Sequence, residues 1–158
     1  MNKQDDKDYN AMLKNDKDMP KVKIVRDKNV IEKYGGRRML IAPPSAYDEL
    51  MKNVPYGKLI TTRQMRDYLA KKYDADFTDP MTAAIFVNIA AWASYQRKED
   101  ITPFWRTIKS DGQLIDKFPG AIMLQKKALE EEGHTIIVKG TKIIKYYVED
   151  YQQCLIEL

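Results

Sequence analysis

The chain has 158 residues, 44% hydrophobic and 32% charged, with a formal net charge of +4. That length suggests one domain with room for a tail, and a core large enough to fold without staples. A single Cys excludes a disulfide within the chain, and one Cys with one His excludes a Cys/His metal cluster, which needs about four ligands. No apolar run approaches the roughly 18 residues that span a bilayer, and the N-terminal MNKQDDKDYN carries no apolar signal region. A cytoplasmic protein, away from membranes, with no metal and no cofactor is expected.

Charge is unevenly spread. Residues 1–20 hold four Lys against five Asp, a sum of −1, whereas residues 51–73 hold Lys52, Lys58, Arg63, Arg66, Lys71 and Lys72 against Asp67 alone, a sum of +5. A basic patch in one short segment suits phosphate backbones. A solvated helix face is the competing reading.

In chain order, residues 1–20 are polar, mixed in sign and aperiodic, which predicts a disordered or loosely attached tail. Residues 21–42 carry short apolar pieces on either side of Gly35-Gly36, which predicts one or two short strands. After Pro43-Pro44, Ser45 with Asp48 three residues on marks a short helix to about Asn53. Thr61 with Gln64 forms a second capping box. Met65, Tyr68, Leu69 and Tyr73 follow at helical spacing. Asp79-Pro80 starts another helix, Asp as cap and Pro in the first turn, with Ile85, Phe86, Ile89, Ala90 and Ala93 as its expected buried stripe. Two short helices joined by a polar link, the first of them basic, predict a helix-turn-helix; a plain helical hairpin is the alternative.

Thr107-Ile108, the bend Ser110-Asp111-Gly112 and Gln113 to Ile115 predict a hairpin, placed where a winged helix carries its wing. Phe118-Pro119-Gly120 closes it. A helix from about Ile122 to Glu132 ends at Gly133. A β-branched hairpin then spans 134–148, and the last residues have helical spacing. The fold class expected is α+β, mostly helical, a winged helix-turn-helix with flanking short β-hairpins.

Enzyme chemistry finds little support. The only thiol, Cys154, and the only imidazole, His134, are 20 positions apart, Cys154 on an apolar stripe where a thiol is inert. Glu130, Glu131 and Glu132 point in different directions on a helix and form no acid pair. Gly35-Gly36 lacks the Lys-Ser/Thr of a phosphate loop.

From Val54-Pro55-Tyr56-Gly57-Lys58, through Ile60-Thr61-Thr62-Arg63-Gln64-Met65 and Pro103-Phe104-Trp105-Arg106, to Ser110-Asp111-Gly112-Gln113-Leu114, Phe118-Pro119-Gly120 and Leu129 to Gly133, the ordered pattern resembles the DNA-binding domain of the O6-alkylguanine-DNA alkyltransferase family. The resemblance covers roughly half of the chain. It divides the sequence into the tail (1–20), an N-terminal extension (21–44), a winged-helix DNA-binding domain (45–134) and a C-terminal hairpin and helix (135–158). Phe104 stands where the family carries its acceptor cysteine and Trp105 where it carries the proton-relaying histidine. Glu132 matches the glutamate that orients that histidine, so here it has no imidazole to serve. A phenyl ring cannot accept an alkyl group by displacement, so the site is degenerate and no catalytic residue is assigned. The family's phosphate-rotating tyrosine falls at Thr62, and its base-gap arginine near Thr82 to Ala84, where no Arg stands. The missing nucleophile is similar to that of the alkyltransferase-like branch, which binds alkylated DNA without repairing it and recruits other repair factors.

The resemblance implies duplex DNA as partner, alkylated or plain, together with a repair-protein partner. Candidate DNA contacts are Thr61, Thr62, Arg63, Gln64, Arg66, Thr82, Asn88 and Lys109. Thr61 and Gln64 serve equally as caps, and Asn88 equally as a plain solvent-facing residue. Candidate pocket residues are Pro103, Phe104, Trp105, Arg106 and Phe118. There the aromatic rings form either a platform for a base or hydrophobic core that fills the old site. Arg106 reads as a structural ion pair. The function expected is a non-catalytic, DNA-binding protein of repair or alkylation-damage recognition. The alternative is the same module turned to protein interaction or regulation, without lesion recognition.

Overall fold

The structure, a computed structural model, describes residues 6–158. It is α+β and mostly helical. Among the described residues no helix is long and apolar enough to cross a membrane, and no His/Cys/Asp/Glu group is placed to hold a metal ion.

Among the described residues six α-helices carry the framework: α1 (Tyr9–Lys14), α2 (Lys28–Tyr34), α3 (Pro44–Lys52), α4 (Thr62–Lys72), α5 (Pro80–Gln96) and α6 (Ala121–Glu131). Seven short strands join them: β1 (Lys21–Ile24), β2 (Arg38–Ile41), β3 (Ile60–Thr61), β4 (Phe77–Thr78), β5 (Thr107–Ile108), β6 (Ile136–Lys139) and β7 (Lys145–Val148). β2 lies between antiparallel β1 and parallel β4; β3 pairs parallel with β5; β6 pairs antiparallel with β7.

The centre is α5. It is 17 residues long without a single charged side chain, and a helix apolar nearly all round belongs inside a core. Asp79 caps it, accepting from the Met81 amide, and Pro80 opens the first turn, where its missing N–H is no loss. α1, α3 and α4 pack against it. Its buried side is Ala83, Val87, Ile89 and Ala90 through Ser94. Ile85, expected in the stripe, is 52% exposed. In so apolar a helix, periodicity does not say which side turns inward.

The N-terminal tail is corrected by α1. Residues 1–5 lie outside the described residues, but Tyr9 is only 4% exposed and stacks on Trp92 with ring centroids 5.6 Å apart. Asn10 Nδ2 donates to the Ala93 carbonyl at 3.0 Å. Tyr9 and Leu13, one turn apart, are the buried residues of a six-residue helix, too short for its periodicity to show in the sequence.

The expected strand region 21–42 contains β1 and β2, with α2 between them. Asp27 caps α2, and Gly35 ends it at φ +81°, a left-handed position that glycine adopts without strain. The expected hairpin across residues 107–115 is replaced. Its bend forms, with the Lys109 amide donating to Gln113 O at 2.9 Å, but the two limbs take other partners. β5 joins β3, while the Leu114 amide donates to Tyr146 O of β7. The hairpin expected over 134–148 is β6–β7, and the terminal helix expected after it is a short 3-10 turn, Tyr151–Cys154.

Removing the Tyr9 ring tests whether the first helix is integral. Tyr9→Ala is expected to lower the unfolding free energy by about 3 kcal/mol, as aromatic truncations in cores do. Urea denaturation measures this, and an unchanged midpoint would mean a loosely attached tail.

Candidate nucleic-acid interface

The Thr61 cap fixes where this surface begins. Thr61 Oγ1 accepts from the Gln64 amide at 3.1 Å, and Gln64 Oε1 accepts from the Thr61 amide at 2.9 Å. Gln64 Nε2 also donates to Ile156 O. Both side chains are committed inside the fold, which favours their capping role. Outward from the same turn stand half-buried Thr62, exposed Arg63 and half-buried Arg66. Arg63 faces Asp67 at 3.7 Å with both side chains 72% exposed, a pair worth little in water. Arg66 forms no ion pair with any described residue.

Between α4, the start of α5 and the 109–115 loop lies a cavity of about 440 Å³. Pro80, Ala83, Ala84, Val87 and Ile115 give it apolar walls, and Thr62, Arg66, Lys109, Ser110, Asp111 and Gln113 give it a polar rim. That size and lining fall within the range of small-ligand sites. Arg66 and Ser110 also line a neighbouring cleft of mixed charge, where Lys33 and Arg63 stand with Asp67 and Asp76. Asp111 is the acid at the mouth. Burial pushes its carboxyl up, but hydrogen bonds from the Gln113 side chain and from backbone amides, with Lys109 nearby, hold it below the ordinary carboxylate value. It is therefore an ionised acceptor at neutral pH.

The other candidates divide. Thr62, Arg66 and Lys109 come together on the rim, with Arg63 in the adjoining cleft. Thr82 turns back, donating to Asp79 Oδ2 at 3.0 Å. Asn88 is half-buried, and its Oδ1 is buried without a hydrogen-bond partner, so a plain solvent-facing role does not describe it. Pro80, Ala84, Ser110, Asp111 and Gln113 are lining residues that sequence reading passes over. Only the bend at Ser110-Asp111-Gly112 hints at them.

None of Pro103, Phe104, Trp105, Arg106 and Phe118 lines this cavity. Phe104 is 3% exposed and meets Trp105 and Phe118 edge-on, both at 5.5 Å between centroids. The phenyl ring is core, in the same buried cluster as the cavity-floor residues Ala83 and Val87. The burial of Phe104 and Phe118 matches the hydrophobic-core reading of these two rings. Trp105, by contrast, is half-buried and lines a separate surface cleft with Leu124, Lys127, Ala128 and Glu131.

Glu132 is not idle, as the loss of the histidine implied. Its Oε2 accepts from the Trp105 indole N–H at 2.6 Å, its Oε1 accepts from the Gly57 amide at 2.8 Å, and Arg106 Nε donates to both oxygens at 3.0 and 3.1 Å. The indole thus supplies the N–H donor that an imidazole would. The pair is shielded, with side-chain exposures of 14% for Arg106 and 5% for Glu132, and Arg106 Nη1 also donates to Val54 O. Burial pushes the Glu132 carboxyl up, but these hydrogen bonds and the Arg106 charge outweigh it and leave it below its ordinary 4.5.

No family model matches this sequence, and no curated protein does. Among solved structures, the chain is similar to S. pombe Atl1 in a complex with damaged DNA containing O6-carboxymethylguanine, with 21% identity, 73% of this chain and 94% of that chain covered, and a TM-score of 0.48. It is similar also to S. pombe ATL in complex with DNA, with 19% identity, the same coverage and a TM-score of 0.48. At this identity the likeness assigns no role to any residue of the chain.

Glu132→Ala is expected to destabilise the fold by about 3 kcal/mol, because it strands a shielded guanidinium. The carboxyl is depressed in the folded state, so its contribution is present above about pH 4.5 and is lost as pH falls through the lower folded value. Glu132→Gln is therefore expected to flatten the decline in stability below that pH. An acid limb in urea titrations identical to that of the parent would contradict the network.

Proposed function

We propose that this chain is a non-catalytic duplex-DNA-binding protein that takes an extrahelical, alkylated base into the cavity between α4, α5 and the 109–115 loop. The single observation that carries the reading is the pairing of an apolar-walled cavity of about 440 Å³ with two cations on its rim, Arg66 and Lys109. Backbone phosphates supply the electrostatic attraction, and the rim fixes register. A base rotated out of the stack needs a snug, largely apolar site with a few polar groups for its edge. The Asp111 carboxylate and the Ser110 and Thr62 hydroxyls are such groups, and the apolar walls suit an added alkyl carbon.

The helix-turn-helix role falls to α4 and α5, with β4 lying in the connection between them. In this reading the bend at 109–113 takes the part of a wing, although its two limbs pair with other segments. The cavity lining holds no Cys and no His, and Phe104 stands at the position where the family resemblance would place sulfur, so this reading assigns no alkyl acceptor. Binding is therefore reversible, and the alkyl group stays on the DNA.

Mobility shifts with plain and O6-methylguanine duplexes, in parallel, test this reading. Binding through about four to six phosphates gives a log–log salt slope of about −0.9 per phosphate, with the lesion duplex held more tightly. Arg66→Glu with Lys109→Glu is expected to weaken both complexes at least ~10-fold, a loss consistent with replacing two phosphate contacts by repulsion. The protein mass after incubation is expected to be unchanged. Absence of any complex at ~50 mM salt, where phosphate contacts are strongest, overturns DNA binding. Equal affinity for the two duplexes overturns the lesion site alone.

A further inference from the structure

Beyond the cavity, β6 and β7 form a two-stranded ribbon with two unlike faces. Successive strand residues alternate. One face, Ile136, Tyr146 and Val148, packs on the second buried cluster with Leu59, Leu114 and Leu129. The other face carries Ile137, Lys139, Lys145 and Tyr147. Lys139 and Lys145 are direct cross-strand partners. Like charges directly opposite destabilise a sheet, and neither lysine has an ion-pair partner among the described residues. Lys139 Nζ sits 4.8 Å above the Tyr147 ring, which holds it on this face. At the tip, exposed Lys142 precedes Ile143 and Ile144, 74% and 57% exposed.

The direction of this face is set by one pairing. Gln113 lies opposite Tyr147 in an antiparallel bridge, and directly opposed residues project to the same side of a sheet. Gln113 lines the cavity. The basic face of the ribbon is therefore continuous with the cavity rim that carries Arg66 and Lys109. The acid on that face, Glu149, stands four positions from Lys145, at the ribbon's base.

We propose that the β6–β7 ribbon is a second DNA-binding element: an arm that follows the duplex outward from the cavity, with Lys139, Lys142 and Lys145 on backbone phosphates and the Ile143-Ile144 tip in the groove between them. The proposal rests on the DNA-binding reading of the α4–α5 face and extends its footprint. An anion between Lys139 and Lys145 relieves the repulsion that the pairing builds in, and apolar tips flanked by cations are a known means of engaging a groove.

The experiment compares the full chain with K139Q/K142Q/K145Q and K139R/K142R/K145R on a plain duplex across a salt series. All three lysines are exposed, so the variants are expected to unfold at the parent's temperature. The Gln variant is expected to bind ~10-fold more weakly at low salt, with a log–log slope shallower by about two to three at ~0.9 per phosphate. The Arg variant is expected to keep the parent's slope. A Gln variant with the parent's slope overturns the arm while leaving the cavity face intact. A parent that forms no complex at all overturns both. Lysine-dependent sedimentation with phosphatidylserine vesicles, alongside an unchanged DNA slope, assigns the ribbon to a membrane surface and also overturns the proposal.

Discussion

The buried carboxylate of Glu132 is the tie on which the candidate interface depends. It gathers the Gly57 amide from the turn before β3, the Trp105 indole and the Arg106 guanidinium, while itself standing at the end of α6. Three chain segments far apart in sequence are thus held at one point. The 3-10 turn that carries Trp105 and Arg106 runs straight into β5 and then into Lys109, so this knot sets the height of the loop that walls the cavity. A shielded ion pair contributes little net stability by itself, yet removing one partner is strongly destabilising. Geometry, more than energy, is its product here.

In the proposed reading, the same turn explains why Phe104 is no alkyl acceptor. Phe104 packs between Trp105 and Phe118, and its burial makes a position of expected reactivity part of the core. The cavity survives beside that plug because its floor is made of the small residues Ala83, Ala84 and Val87. A binding function needs that space and the cations around it, and needs no nucleophile. The arrangement is coherent as recognition without turnover.

Local chemistry was the legible part of the sequence. The Thr61–Gln64 capping box and the Asp79-Pro80 start of α5 are both present, because caps are decided by neighbours along the chain; the expected Ser45 cap is not, since α3 already starts at Pro44 with Pro43 as its cap and no side-chain bond. The charge excess of the 51–73 segment pointed to Arg63 and Arg66, which do reach the cavity rim or the cleft beside it. What stayed hidden is set by distant partners. β4 and the parallel β3–β5 pair are two residues per strand, too short to show alternation. The burial of α1 depends on Trp92, some eighty positions away. Trp105 as the donor to Glu132 was illegible because motif reasoning sought an imidazole, whereas the geometry asks only for an N–H.

The central claim, that duplex DNA is held by the α4–α5 face around an open cavity while the aromatic plug stays shut, is tested most directly by amide chemical-shift mapping during titration with a short duplex. The account predicts that the largest changes fall on Thr62 to Arg66, Ala84 and Lys109 to Gln113, with Phe104 and Phe118 nearly still. Changes centred on α1 and on residues 97 to 100, with the cavity rim still, would contradict it.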